Sequence, residues 1–192
     1  LRTDSHFGRA EPQIEQIATL SRDFLQPLLA NQVIVTQGFI GADNEGRTTT
    51  LGRGGSDYSA ALLAEALTAH AVEIWTDVAG IYTTDPRLAP NARPIAEISF
   101  NEAAEMATFG AKVLHPATIL PAVRQKIQVF VGSSKDPQAG GTWIRHQVED
   151  TPVYRAVALR RDQTLLNLHS LQMLHAQGFL AETFATLARH KI

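Results

Sequence analysis

The stretch Thr48-Thr49-Thr50-Leu51-Gly52-Arg53-Gly54-Gly55-Ser56-Asp57-Tyr58 constrains this chain more than any other, because threonines lead into it and an alanine- and leucine-rich run leads out. It reads as a strand-to-helix turn. Gly54 and Gly55 carry no Cβ, so they can take positive φ and bring backbone close to a ligand, and Ser56 suits the N-cap of the helix behind it. The first N–H groups of that helix lack intrahelical partners and lie at the positive end of its dipole, so a carboxylate or phosphate can be held there. Arg53 adds a planar fork of donors, and Asp57 adds an acid able to meet a lysine or a metal ion. The spacing is neither Gly-x-Gly-x-x-Gly nor the Gly-x-x-x-x-Gly-Lys phosphate loop. On spacing alone, a packed helix entrance with a satisfied cap explains it equally well.

The chain around this turn alternates helix and strand. Ile14, Ile17, Ala18, Leu20, Phe24, Leu25, Leu28 and Leu29 fall at helical spacing, which predicts an amphipathic helix over 12–30 covering one face of a sheet. Val33-Ile34-Val35 reads as a strand buried on both faces, and Asp43 and Glu45 as acids of a solvated loop. A helix then runs from Ser56 to near His70, followed by a strand at 72–76. Strand, helix and strand in this order predict an α/β fold with a mostly parallel sheet and a right-handed crossover. Ligands of such sheets bind beyond the carboxyl ends of the strands, where Arg53, Ser56 and Asp77 fall. Further on, the pattern predicts a strand at 95–99, helices at 100–110 and 116–126, a strand at 127–131 and a polar linker at 145–152. Strand-like runs at 153–159 and 164–168 and a helix at 178–190 complete the chain.

Composition excludes several classes. With 192 residues, 44% of them hydrophobic, and a formal charge of −2, the chain can bury a core but offers no basic footprint for nucleic acid. It has no cysteine, so neither a disulfide scaffold nor a thiolate metal site is available, and the cytoplasm is the default compartment. No apolar run approaches the roughly 20 residues of a membrane helix, and the polar start is no secretory signal. The chain starts on Leu1 and stops where a helix hands over to a strand, so it reads as a fragment.

Three long strings carry a resemblance. Residues 48–57, then Trp75-Thr76-Asp77-Val78-Ala79-Gly80-Ile81-Tyr82-Thr83-Thr84-Asp85-Pro86-Arg87, then the run Met106 to Pro116 together resemble the aspartate kinases of the amino-acid kinase family. Read on composition, the second string is a surface loop with a turn at Asp85-Pro86. The resemblance implies instead that Thr76, Asp77, Tyr82 and Arg87 contact ATP, with Lys112 and Val113 at its phosphates. It implies that Arg53, Gly54, Gly55 and Ser56 hold the substrate, that Asp57 orients a lysine, and that Asp57 and Lys112 are the catalytic pair. Glu102 and Glu105, which share a helical face, read as solvated or ion-paired acids, and His115 as structural.

The implied reaction moves the γ-phosphoryl group of MgATP to the β-carboxylate of L-aspartate, the first step of lysine, threonine and methionine biosynthesis. The implied fold is a three-layer αβα catalytic domain, its nucleotide half at 1–147, followed at 148–192 by the start of an ACT-type α+β regulatory domain. Residues 170–180 resemble the loop of the lysine-sensitive type, which assigns Met173, Ala176, Phe179 and Leu180 to L-lysine, an inhibitor. Ala176 stands where that loop often has a serine, and a small α/β appendage explains the region too. The full-length protein is expected to be a homodimer, without nucleic-acid or membrane partners. A Lys-Phe-Gly-Gly-type phosphate loop and the glutamate that binds the substrate amino group have no counterpart here, so the fragment alone is expected to be inactive or nearly so. A kinase for acetylglutamate or glutamate and a non-catalytic amino-acid-binding module are the alternatives. A dehydrogenase is disfavoured by the lack of a Gly-x-Gly-x-x-Gly fingerprint.

Overall fold

The computed structural model describes residues 1–109, 116–149, 152–169 and 177–191, which fall into two compact units, Leu1–Arg160 and Arg161–Ile192. The first unit is built on a four-stranded sheet in which β3 (Ala71–Thr76), β5 (Gln128–Ser133), β6 (Gly141–Arg145) and β4 (Glu97–Ser99) lie side by side in that order. The β3–β5 and β4–β6 pairs are parallel and the β5–β6 pair is antiparallel. The expected α/β class with a mostly parallel sheet is therefore observed. Its one antiparallel step comes from the β5–β6 connection, too short for a crossover helix.

Strand register explains the core. Val72, Val129, Ile144 and Ile98 stand opposite one another across all four strands, none more than 4% exposed. The adjoining row is Ile74, Val131 and Thr142. Onto this face pack Ala61 and Ala64 of α3 (Gly55–Leu67), Phe100 and Ala103 of α4 (Phe100–Thr108), and Ile119 and Ala122 of α5 (Pro116–Arg124). Burying each large apolar side chain is worth about 1.5–3 kcal/mol. Arg124 donates to Glu65 through Nε at 3.0 Å and Nη2 at 2.7 Å, clasping α5 to α3. The other face of the sheet carries Glu73, Trp75, Phe130 and Trp143, with ring centroids 5.4 Å and 5.0 Å apart along the aromatic series.

Helix α4 is fixed by its start. Ser99 caps it and Glu102 answers in a full capping box, and Glu102 also accepts from Arg155 Nε at 2.9 Å. Burial opposes ionisation of Glu102, yet the bonds from Ser99 and Arg155 outweigh it and hold this carboxyl below its ordinary range. Glu102 is thus an ion-paired structural acid, as the sequence suggests.

Three expectations fail for physical reasons. The helix expected over 12–30 exists as α1 (Ile14–Leu20), a π-helical turn at Ser21–Leu25 and α2 (Gln26–Leu29), but it packs on α3 rather than on a sheet and buries only Ile17 and Ser21. Pro27 has no N–H to offer the carbonyl of Asp23, and the helix widens there. Val33-Ile34-Val35 forms no strand, and Val33 and Val35 are 92% and 93% exposed. The runs at 153–159 and 164–168 are likewise not strands. A strand needs a continuous ladder to a neighbour, and among the described residues 153–159 forms none, although Val157 N donates to the Thr83 carbonyl at 2.8 Å. In the second unit the expected helix is present as α6 (Phe179–Arg189), entered through Gly178 at φ +83°.

Candidate active site

The short hairpin of β1 (Ile40–Ala42) and β2 (Thr48–Thr50) delivers the chain to the organising turn. Gly52 and Gly54 turn it at φ +75° and +72°, and α3 starts at Gly55. The N-cap is therefore Gly54, in the left-handed conformation and without a side-chain cap bond, rather than Ser56. Ser56 lies exposed in the first turn, so the helix keeps uncapped donors at its entrance. Gly55 is needed for packing and not for φ, since a Cβ there would come within 2.7 Å of the Phe39 ring. The buried Ser59 hydroxyl accepts from Phe39 N at 2.8 Å and donates to the Gly55 carbonyl at 2.7 Å, locking the turn to the preceding loop.

Arg53 is exposed and makes no hydrogen bond or ion pair with the described residues. Asp57 is partly buried, also without a bonded partner among them, and burial raises its carboxyl above the ordinary range. Both groups are available to a ligand. Asp43 is not the solvated acid expected from the sequence. It is 1% exposed and accepts from Arg47 Nε at 2.7 Å, Arg47 N at 2.9 Å, Glu45 N at 3.0 Å and Ser5 Oγ at 3.2 Å, which closes the hairpin loop.

The second string follows β3. Thr76 ends that strand, its hydroxyl 3.3 Å from Asp77 Oδ1, and its carbonyl accepts from Ser134 N at 2.7 Å and Ser134 Oγ at 2.9 Å. After a buried Gly80 at φ +103°, Ile81 N donates to Thr142 Oγ1 at 2.7 Å. Ile95 N donates to the Ile81 carbonyl at 2.8 Å, Tyr82 bridges to Pro94, and Thr83 N donates to the Arg93 carbonyl at 2.9 Å. Residues 81–95 thus form an irregular hairpin rather than a loose loop. Arg87 is held at its exposed tip by Asp85, with Nη2 to Oδ2 at 2.7 Å and Nε to Oδ1 at 3.0 Å.

Element lengths bring the two strings to one rim. Helix α3, with 13 residues, carries the chain about 20 Å from the turn, and β3, with six, returns it about 20 Å. Arg53, Gly54, Gly55, Ser56 and Asp57 open α3, and Thr76 and Asp77 follow β3, so the lengths put both strings at the carboxyl end of β3. The strand before the turn, β2, pairs with β1 outside the four-stranded sheet, so the expected strand–helix–strand crossover is not formed by β2, α3 and β3. Tyr82 and Arg87 lie further along the hairpin that follows β3. Lys112, Val113, Met173 and Ala176 fall outside the described residues. Phe179 and Leu180 open α6 in the second unit, half-buried and exposed respectively. Sequence reasoning misread Asp43 and missed Ser134 and Thr142; of the latter two, only Thr142 could have been flagged, by the strand alternation that turns it inward. Among the described residues no cluster of three or more His, Cys, Asp or Glu could hold a metal ion, and no helix is long and apolar enough to cross a membrane.

A glycine turn that leaves helix donors open, followed by a helix and a parallel strand, is an arrangement suited to holding a carboxylate or phosphate in an α/β protein. The family model described as "Amino acid kinase family" matches residues 3–133, and the chain belongs to that family. It is 67% identical over 192 residues to lysine-sensitive aspartokinase 3 of Escherichia coli (strain K12), covering 100% of this chain and 43% of that protein. An aspartokinase of Chlamydia pneumoniae is 40% identical over 194 residues, covering 99% of this chain and 43% of its own length. Among solved structures, E. coli aspartokinase III in complex with aspartate and ADP matches with a TM-score of 0.81 at 67% identity, over 100% of this chain and 43% of that one. The same enzyme in complex with lysine and aspartate also gives a TM-score of 0.81, over 98% of this chain and 42% of that one. The chain spans less than half the length of these relatives.

Proposed function

We propose that the protein carrying this chain is an aspartate kinase that transfers the γ-phosphoryl group of ATP to the β-carboxylate of L-aspartate. The observation that supports it most is the left-handed Gly54 entrance to α3, without a side-chain cap bond, next to an Arg53 that bonds to no described residue; the element lengths are consistent with the segment after β3 lying at the same end. The name and bound ligands of the E. coli relative, 67% identical, agree with that reading. One β-carboxylate oxygen attacks the γ-phosphorus, the bond from that phosphorus to the bridging oxygen breaks, and ADP leaves with the electron pair. A carboxylate is already an adequate nucleophile and brings no proton to remove. Positioning and charge neutralisation therefore supply the catalysis.

Within this scheme Arg53 and the first-turn amides of α3 hold the substrate α-carboxylate, and Asp57 orients a cationic group, a lysine in the family pattern. Thr76, Asp77, Tyr82 and Arg87 flank the nucleotide. Lys112 and Val113 belong at its phosphates by resemblance. Mg²⁺ accompanying ATP as part of the substrate would offset the charge of its phosphates. Residues 1–147 serve as the nucleotide half of the catalytic domain, and 148–192 begin an ACT-type module. In that module Met173, Ala176, Phe179 and Leu180 would meet inhibitory L-lysine, in a cytoplasmic homodimer.

The test is chemical. The full-length protein incubated with MgATP and L-aspartate in hydroxylamine is expected to give aspartyl hydroxamate and ADP in equal amounts, with L-lysine suppressing both. No hydroxamate from aspartate, or a comparable yield from glutamate or acetylglutamate, overturns the assignment.

A further inference from the structure

Thr142 is out of place by packing alone. Its register neighbour is Val131, beside Ile74, on the sheet face that forms the hydrophobic core, and it is itself 0% exposed. At that position an isosteric valine would fill the same space without burying a hydroxyl, and a buried hydroxyl is costly unless bonded. Its bonds show what it is for. Thr142 Oγ1 accepts from Ile81 N at 2.7 Å and donates to the Ile95 carbonyl at 2.6 Å, so one atom grips both limbs of the hairpin that bears Tyr82 and Arg87. The contact is close on the loop side: a Cβ on Gly80 would lie 2.5 Å from Thr142 Oγ1 and 2.9 Å from Thr142 N, which leaves room for glycine only.

We propose that Thr142 is a positioning residue for the nucleotide, holding the 77–87 segment in the one register in which Thr76, Asp77, Tyr82 and Arg87 face the rim together. The inference rests on the kinase reading of that segment. Thr142 touches neither substrate. It acts by fixing the fraction of molecules whose hairpin is seated, and apparent nucleotide affinity falls in proportion to that fraction. Loss of the hydroxyl strands the Ile81 N–H and the Ile95 carbonyl in the core, a penalty the hairpin relieves by lifting off β6.

The experiment uses the full-length protein and compares wild type with Thr142→Val, Thr142→Ser and Gly80→Ala. ADP affinity is measured by calorimetry, and KM for ATP, KM for aspartate and kcat are measured separately. Thr142→Val is expected to weaken ADP binding and raise KM for ATP by about five- to tenfold, with KM for aspartate within about twofold of wild type. Thr142→Ser, which keeps the hydroxyl, is expected to restore nucleotide affinity to within about twofold. Gly80→Ala, which intrudes on the same atom from the other side, is expected to reproduce the nucleotide-selective loss even if the valine variant does not fold. Equal weakening of both substrates, an unchanged ADP affinity in Thr142→Val and Gly80→Ala, or a serine variant no better than valine overturns the positioning role while leaving the kinase reading intact. A wild-type protein that binds no adenine nucleotide overturns the kinase reading itself, and the positioning role with it.

Discussion

Replacing Arg53 by alanine separates binding from folding. The guanidinium is exposed and bonds to no described residue, so its loss removes nothing from the fold, and stability is expected to stay within about 0.5 kcal/mol of wild type. The substrate α-carboxylate, by contrast, loses a two-pronged partner. Charged hydrogen bonds contribute about 1.5–3 kcal/mol each, so a bidentate pair reaches about 3–6 kcal/mol. Water reaches the exposed side chain and replaces part of that, leaving about 2–4 kcal/mol, or roughly 30- to 1,000-fold in aspartate affinity. Calorimetric titration of the full-length variant with L-aspartate, with thermal unfolding and KM for ATP in parallel, reads all three quantities. Arg53→Lys keeps the charge but not the fork and is expected to fall between alanine and wild type. An aspartate affinity within threefold of wild type refutes the assignment, and a large fall in unfolding temperature shows Arg53 to be structural.

Asp57→Asn is expected to stop phosphoryl transfer yet stabilise the unliganded fold at neutral pH. Burial raises this carboxyl in the folded state, so its ionised form opposes folding above the folded pKa and the penalty disappears below the ordinary value of 3.8. Unfolding temperatures of the two proteins should diverge at pH 7 and meet near pH 3; a less stable, active variant at pH 7 contradicts the role. Ser99→Ala removes the cap of α4 and is expected to cost about 1 kcal/mol in denaturant unfolding. For Glu102 the folded pKa is depressed, so its stabilisation is complete above the ordinary value of 4.5 and lost as pH falls through the folded pKa. Glu102→Gln should therefore match wild type in strongly acidic buffer and fall below it at pH 6. Ile144→Ala, at the crossing of the core row, is expected to cost about 2–5 kcal/mol, and a loss below 1 kcal/mol would show the row to be loosely packed.

The strand-to-helix turn was more legible than the strands around it. The turn at residues 52–57 could be read because its backbone chemistry is local and glycines announce it, whereas the roles of Arg53, Ser56, Asp57, Thr76 and Asp77 came from the resemblance alone. Even there the cap moved from Ser56 to Gly54, because a left-handed glycine can start a helix without any side-chain oxygen. Helix α4 was readable from the run at 100–110, but the capping box of Ser99 and Glu102 that starts it was not recognised. Strands are not local. Val33-Ile34-Val35 and the 153–159 run have strand composition, but pairing requires a second segment, and composition cannot say whether one is beside them. Ser134 and Thr142 were invisible because their partners lie far along the sequence, Thr142 reaching Ile81 and Ile95 across a sheet whose order no local pattern reveals, while Asp43 was misread although Arg47 and Glu45 bind it locally.

Whether the two strings serve one reaction is decided most directly by a crystal structure of the full-length protein with L-aspartate and ADP bound together. The aspartate α-carboxylate is expected within hydrogen-bonding distance of Arg53 and the first amides of α3. Its β-carboxylate should face the phosphates of a nucleotide lying along Thr76, Asp77 and Tyr82. Aspartate and nucleotide bound in separate clefts, with Arg53 turned to solvent, would contradict the shared site.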